Sequence, residues 1–90
     1  MDETWFCYML ECRDGSFYVG ITNNLEERLQ EHARGKDSDY TAKRLPVKLV
    51  WEQAYSGQRQ ARKRESEIKG WSRSKKLELM RKSKAGPSPR

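Results

Sequence analysis

The stretch that decides the fold is Trp5-Phe6-Cys7-Tyr8-Met9-Leu10-Glu11-Cys12-Arg13-Asp14-Gly15-Ser16-Phe17-Tyr18-Val19-Gly20-Ile21-Thr22. Its two ends are rich in aromatic and branched side chains, which suit a pleated, half-buried backbone. Asp14-Gly15 between them is a strong hairpin signal. The loop length sets which side chains meet. A two-residue loop, Asp14-Gly15, puts Tyr8 opposite Ile21 and Tyr18 opposite Glu11, with the phenols on opposite faces. A three-residue loop, Arg13-Asp14-Gly15, puts Tyr8 opposite Gly20 and Tyr18 opposite Leu10. Directly opposed residues share a face, as do alternate residues of one strand. Both phenols then point the same way. The three-residue loop is favoured, because Gly20 opposite Tyr8 leaves space beside that hydroxyl.

Outward from the hairpin, Asn24 opens a helix. Glu27 stands three residues on, in capping-box spacing, and Gly35 closes the helix. Leu25, Leu29 and Ala33 form the expected inward stripe. Arg28 and His32 fall about 60° and 20° to one side of Leu25 and stack four residues apart. They therefore face what the helix packs on, and the hairpin is the natural partner. Lys36 to Pro46 reads as a long polar loop carrying Tyr40, Thr41, Lys43 and Arg44. Val47 to Tyr55 reads as a third strand, with Val47, Leu49 and Trp51 on one face. Ser56-Gly57 breaks it. A charged helix follows, about Gln58 to Lys69, ending at Gly70. Its narrow apolar face is Ala61 and Ile68, and Glu65 falls within that face, about 40° from Ala61. A carboxylate there demands a partner or a metal. A last helix, about Arg73 to Lys82, is capped by Ser72 and packs Leu77 and Met80 inward. Residues 84–90 hold two prolines and a glycine and read as a disordered basic tail.

Composition bounds the rest. Ninety residues with 34% hydrophobic and 36% charged content allow one small domain with a thin core, here 1–83. No run is apolar enough to span a membrane. No basic-then-apolar leader opens the chain, so a cytoplasmic protein is expected. Cys7 and Cys12 sit an odd number of positions apart on one strand, so they face opposite ways and are expected to be reduced. Residues 1–57 carry seven Lys or Arg against ten Asp or Glu, a net of −3. Residues 58–90 carry twelve against three, a net of +9. The basic last third points to a polyanionic partner, most simply nucleic acid. A phosphate-cradling glycine loop and a zinc-ligand cluster are absent from the sequence.

Taken together, Tyr8, the Tyr18-Val19-Gly20 triplet, the Arg28/His32 helix face and Glu65 resemble the GIY-YIG nuclease family, in particular its short stand-alone bacterial members. Phe6-Cys7-Tyr8 stands in the place of the first signature triplet, with Phe6 replacing its glycine. Tyr18-Val19-Gly20 matches the second. The resemblance covers roughly Trp5 to Lys82. It implies an α/β (α+β) domain, a small three-stranded antiparallel sheet flanked by helices in the order β-β-α-β-α-α. It also implies hydrolysis of DNA phosphodiesters with Mg²⁺ or Mn²⁺, in a structure-directed, repair-related role. A protein partner or the DNA structure would supply specificity, and RNA stays open as a substrate.

In that frame Glu65 is the metal ligand, and Arg28 stabilises phosphoryl charge. Tyr8 is the general base, Tyr18 positions the water or phosphate, and His32 bonds Tyr8 or the phosphate. Gly20, Asn24, Tyr40, Lys43, Arg44, Lys63 and Arg64 are candidate nucleic-acid contacts. The alternative is a nucleic-acid-binding module of the same fold with little or no turnover.

Overall fold

The computed structural model describes residues 3–36 and 39–82; the tail expected over 84–90 lies outside them. The elements are β1 (Trp5–Cys12), β2 (Phe17–Thr22), α1 (Leu25–Ala33), α2 (Asp39–Ala42), β3 (Val47–Tyr55), α3 (Gln58–Lys69) and α4 (Arg73–Lys82). The order is the expected one, with a single-turn helix, α2, inside what the sequence presents as a loop. The strands form one antiparallel sheet in the order β2-β1-β3.

The hairpin takes the three-residue loop. The Cys12 amide donates to the Ser16 carbonyl, and the Gly15 amide donates to the Cys12 carbonyl. Gly15 is left-handed at φ +86°, the conformation such a loop asks of its last residue. Asp14 Oδ1 accepts from the Ser16 amide and hydroxyl, which closes the turn. The register follows: Tyr8 pairs with Gly20, and Leu10 with Tyr18. The space beside Tyr8 is not open, however. A Cβ built on Gly20 would lie 2.7 Å from the Tyr8 hydroxyl oxygen and 3.2 Å from the Tyr18 ring. The phenol lies across the glycine and fills the gap.

The alternation expected along β3 is broken by a bulge. Met9 pairs with Trp51 and Leu10 with Leu49, so Val50 is extra. Leu49 and Trp51 consequently fall on opposite faces, where simple alternation had put them on one. On one face Cys7, Met9, Val19 and Trp51 join Ile68 of α3 in the buried core, and Phe17, Ile21, Trp71, Leu79 and Met80 pack around it. In α4, Leu79 takes the inward place expected of Leu77. Cys7 and Cys12 are free thiols, both buried.

The helix ends obey their caps. Asn24 accepts from the Glu27 amide at the start of α1, and Gly35, at φ +75°, follows its last turn. Ser72 Oγ accepts from the Lys75 amide at the start of α4. The inward stripe of α1 differs from the expected one. Ala33 is exposed, Leu25 and Leu29 are half-buried, and His32 is the buried residue. A polar ring takes the deepest place because the hairpin and α2 supply partners for it.

Candidate active site

The site is built on the face of the sheet that carries Tyr8, Gly20 and Tyr18. Tyr8 is 1% exposed, and His32 and Thr41 are fully buried. The Tyr8 hydroxyl lies 2.9 Å from His32 Nε2, and His32 Nδ1 lies 2.9 Å from Thr41 Oγ1. Three elements thus meet in one line: β1 gives the phenol, α1 the imidazole, α2 the hydroxyl. Burial of three polar groups is tolerated because each is bonded. No buried side-chain nitrogen or oxygen among the described residues lacks a partner. Tyr18, half-buried, stands in front of this line, with its ring 5.0 Å from His32 and 6.4 Å from Tyr8.

A second tier surrounds the rings. Tyr40 is exposed, 6.2 Å from Tyr18, and the Arg44 guanidinium sits 3.9 Å over its ring. Arg44 also donates to the Tyr40 carbonyl at 2.9 Å and to Asp14 Oδ2 at 3.0 Å. That arginine ties the α2 segment to the hairpin turn. Together with Ser16, it holds the Asp14 carboxyl below the usual carboxylate range, the Ser16 bonds being the larger cause. Thr41 is the residue that sequence reasoning passed over. It was visible only as part of a polar loop, because its partner, His32, lies in another element.

Of the remaining candidates, Lys63 and Arg64 sit on α3, against the opposite face of the sheet. Arg28 is half-buried and pairs with Glu31 at 3.3 Å. Gly20 is buried under the Tyr8 phenol. Asn24 uses its side-chain oxygen as a helix cap. Lys43 and Lys63 are exposed. Arg64 pairs with Glu67 at 3.1 Å.

Glu65 lies in the other layer. Its helix packs on the face of Cys7 and Met9, and its carboxylate, 18% exposed, pairs with Lys69 at 3.1 Å. It is close enough to Cys7 to help burial push that thiol up to about 12. No group of three or more His, Cys, Asp or Glu among the described residues forms a metal cage. The donor set still fits a hard divalent cation. One carboxylate oxygen suits Mg²⁺, which keeps several waters and takes its other ligands from phosphate.

Comparison with known proteins gives the site its context. The model of the GIY-YIG catalytic domain matches residues 4–78. A UPF0213 protein of Streptococcus pneumoniae is 41% identical over 80 residues, which is 89% of this chain and 81% of that one. A UPF0213 protein of Staphylococcus aureus is 40% identical over 79 residues, 88% of this chain and 96% of that one. The solution NMR structure of a UPF0213 protein from Bacillus halodurans aligns with a TM-score of 0.59 and 40% identity, covering 93% of this chain and 88% of that one. With the paired tyrosines, the helix arginine and histidine, and the later glutamate all carried on the expected three-stranded scaffold, the chain belongs to the GIY-YIG catalytic-domain family.

Proposed function

We propose that this protein is a metal-dependent DNA endonuclease, structure-directed and repair-related, that works in the cytoplasm. The observation that carries the reading is the bonded line Tyr8–His32–Thr41 behind Tyr18. A folded core needs no such line, and an apolar triplet of the same shape would be as stable or more so. Its chemistry is proton handling. In the sense that serves hydrolysis, His32 Nδ1–H donates to Thr41 Oγ1, and Nε2 accepts from the Tyr8 hydroxyl. A proton leaving Tyr8 then has a receiver, and the phenolate formed faces an imidazolium. This matters because a free phenol, with a pKa of about 10, is a poor base at neutral pH.

Tyr8 is deep, so Tyr18 in front of it is the phenol that would meet the attacking water or the scissile phosphate. As water attacks phosphorus and the P–O bond to the leaving strand breaks, the water's proton would pass by way of the Tyr18 hydroxyl to the Tyr8 phenolate, the leaving oxygen would take a proton from solvent, and Arg28 would neutralise charge on the phosphoryl oxygens. Glu65 would hold Mg²⁺ or Mn²⁺, which supplies Lewis-acid polarisation of the phosphate. Lys69 must then release the carboxylate. Glu65 and the phenols lie in different layers, and β2 is an edge strand of the sheet. We place the DNA backbone across that edge, where it can reach both. Tyr40, Lys43, Arg44 and Lys63 would hold neighbouring phosphates, and a protein partner would add specificity.

One observation favours a second reading. Tyr8 is almost sealed, and Phe6 adds bulk where the family signature has glycine. A binding module that kept the fold and lost turnover would look the same. Labelled duplex, nicked, branched and single-stranded DNAs, incubated with Mg²⁺, Mn²⁺ or EDTA, separate the two. The nuclease reading expects metal-dependent cutting that Glu65→Ala abolishes and Glu67→Ala retains, with binding equal or tighter in Glu65→Ala. Salt-sensitive binding without cutting of any substrate would establish the module instead.

A further inference from the structure

The α3–α4 surface carries a hollow of about 250 Å³ lined by Arg64, Trp71, Lys75, Glu78, Leu79 and Lys82. Its floor is aromatic and its rim is cationic. The Arg64 guanidinium lies 5.1 Å from the Trp71 ring and 6.0 Å from the Trp51 ring, and the Lys75 ammonium lies 4.7 Å from Trp71. Three cations against Glu78 leave the rim net positive.

We propose that this hollow holds an unpaired nucleotide of single-stranded DNA, its base stacked on Trp71 and its phosphates on Arg64 and Lys75. The proposal rests on the nuclease reading only in taking DNA as the partner. Three features carry it. The volume is below the roughly 300–1,000 Å³ of drug-sized clefts, so it suits one ring system. Trp71 is half-buried and packed against the core, so its ring is a fixed platform rather than a mobile flap. The two cations differ in freedom. Arg64 is held by Glu67 at 3.1 Å and by two indoles, whereas Lys75 is exposed. Lys75 can swing off the ring to a phosphate as a base slides on, and Arg64 stays as the fixed wall. Aromatic platforms beside cations are how proteins hold single strands without reading their sequence. A substrate with an unpaired flap or overhang beside a duplex would use this hollow and the tyrosine face together.

The test is anisotropy of a labelled twelve-nucleotide oligo-dT against an abasic strand of equal charge, with the full chain in EDTA. Wild type is expected to bind oligo-dT about tenfold or more tightly than the abasic strand. Trp71→Ala is expected to erase that preference, and Lys75→Glu to weaken both strands. Trp71 supports the core, so circular dichroism accompanies its variant; Lys75 is exposed and keeps the test valid if Trp71→Ala unfolds. Equal binding of both strands by wild type would mean charge attraction alone and would overturn the proposal, as would wild-type affinity in Lys75→Glu. Duplex cutting in Mg²⁺ by the same preparation reports on the nuclease reading separately.

Discussion

The two faces of the sheet solve the same burial problem in opposite ways. Behind it, Cys7, Met9, Val19, Trp51 and Ile68 exclude water with apolar surface. In front, Tyr8, His32 and Thr41 are as deeply buried and polar, and are held by hydrogen bonds. Apolar packing is non-directional and tolerates exchange of one hydrocarbon for another. A bonded polar line does not, since each member fixes the next. The difference leaves one face tolerant of exchange and the other exacting.

The largest effect should come from the apolar face. Ile68→Ala is expected to lower unfolding free energy by about 2–5 kcal/mol, read from urea denaturation. A loss under 1 kcal/mol would mean that α3 is not a principal buttress of the sheet. Gly20→Ala comes next, at about 1–3 kcal/mol, because its Cβ would push the Tyr8 phenol off His32. Cleavage should fall with it, and an active Gly20→Ala protein would show that the Tyr8–His32 bond is dispensable.

Thr41→Val takes the hydroxyl from the buried His32 Nδ1 and should cost a comparable amount, about 1–3 kcal/mol, and shift the pH–rate profile, whereas Thr41→Ser restores both. A stability loss without a changed profile would leave Thr41 a purely structural residue. The smallest effect at neutral pH concerns Cys7. Its thiol is pushed up to about 12 from an ordinary 9.0, chiefly by burial and then by Glu65. A raised folded value favours the protonated native state. The associated stability is whole below about 9 and declines as pH rises toward 12. Cys12 and Tyr55 are raised too, so the slope must be compared with that of Cys7→Ala. A slope unchanged in that variant would refute the Cys7 assignment.

Much of the scaffold was legible because its signals are local. Asp14-Gly15 and the placement of Gly20 set the hairpin register, Asn24 and Gly35 set the ends of α1, and the run from Val47 to Tyr55 is a strand throughout. What escaped was non-local. The bulge at Val50 leaves no mark in composition, yet it moves Leu49 to the face opposite Trp51. Ala33 looked like core and His32 like a border residue. The reverse holds because Tyr8 and Thr41, from two other elements, make the imidazole's burial affordable. The position of His32 beside the hairpin was readable from helix spacing, while Thr41 was hidden in a stretch without hydrophobic period.

Arg44 joins parts of the chain that are far apart in sequence. It bonds Asp14 across a separation of thirty residues while holding the segment that carries Thr41. As an exposed ion pair it adds little energy. Its consequence is temporal. Hairpins close in about 1–10 μs from neighbouring residues, whereas contacts of high sequence separation must first meet the entropy of a longer loop. The β1–β2 hairpin is therefore expected to form first, ahead of the Arg44–Asp14 tie and of β3, whose residues stand far along the chain from their β1 partners (Trp5 with Tyr55, Cys12 with Val47). Arg44 thus latches onto a turn already made, and fastens the α2 segment to a finished hairpin rather than helping to shape it.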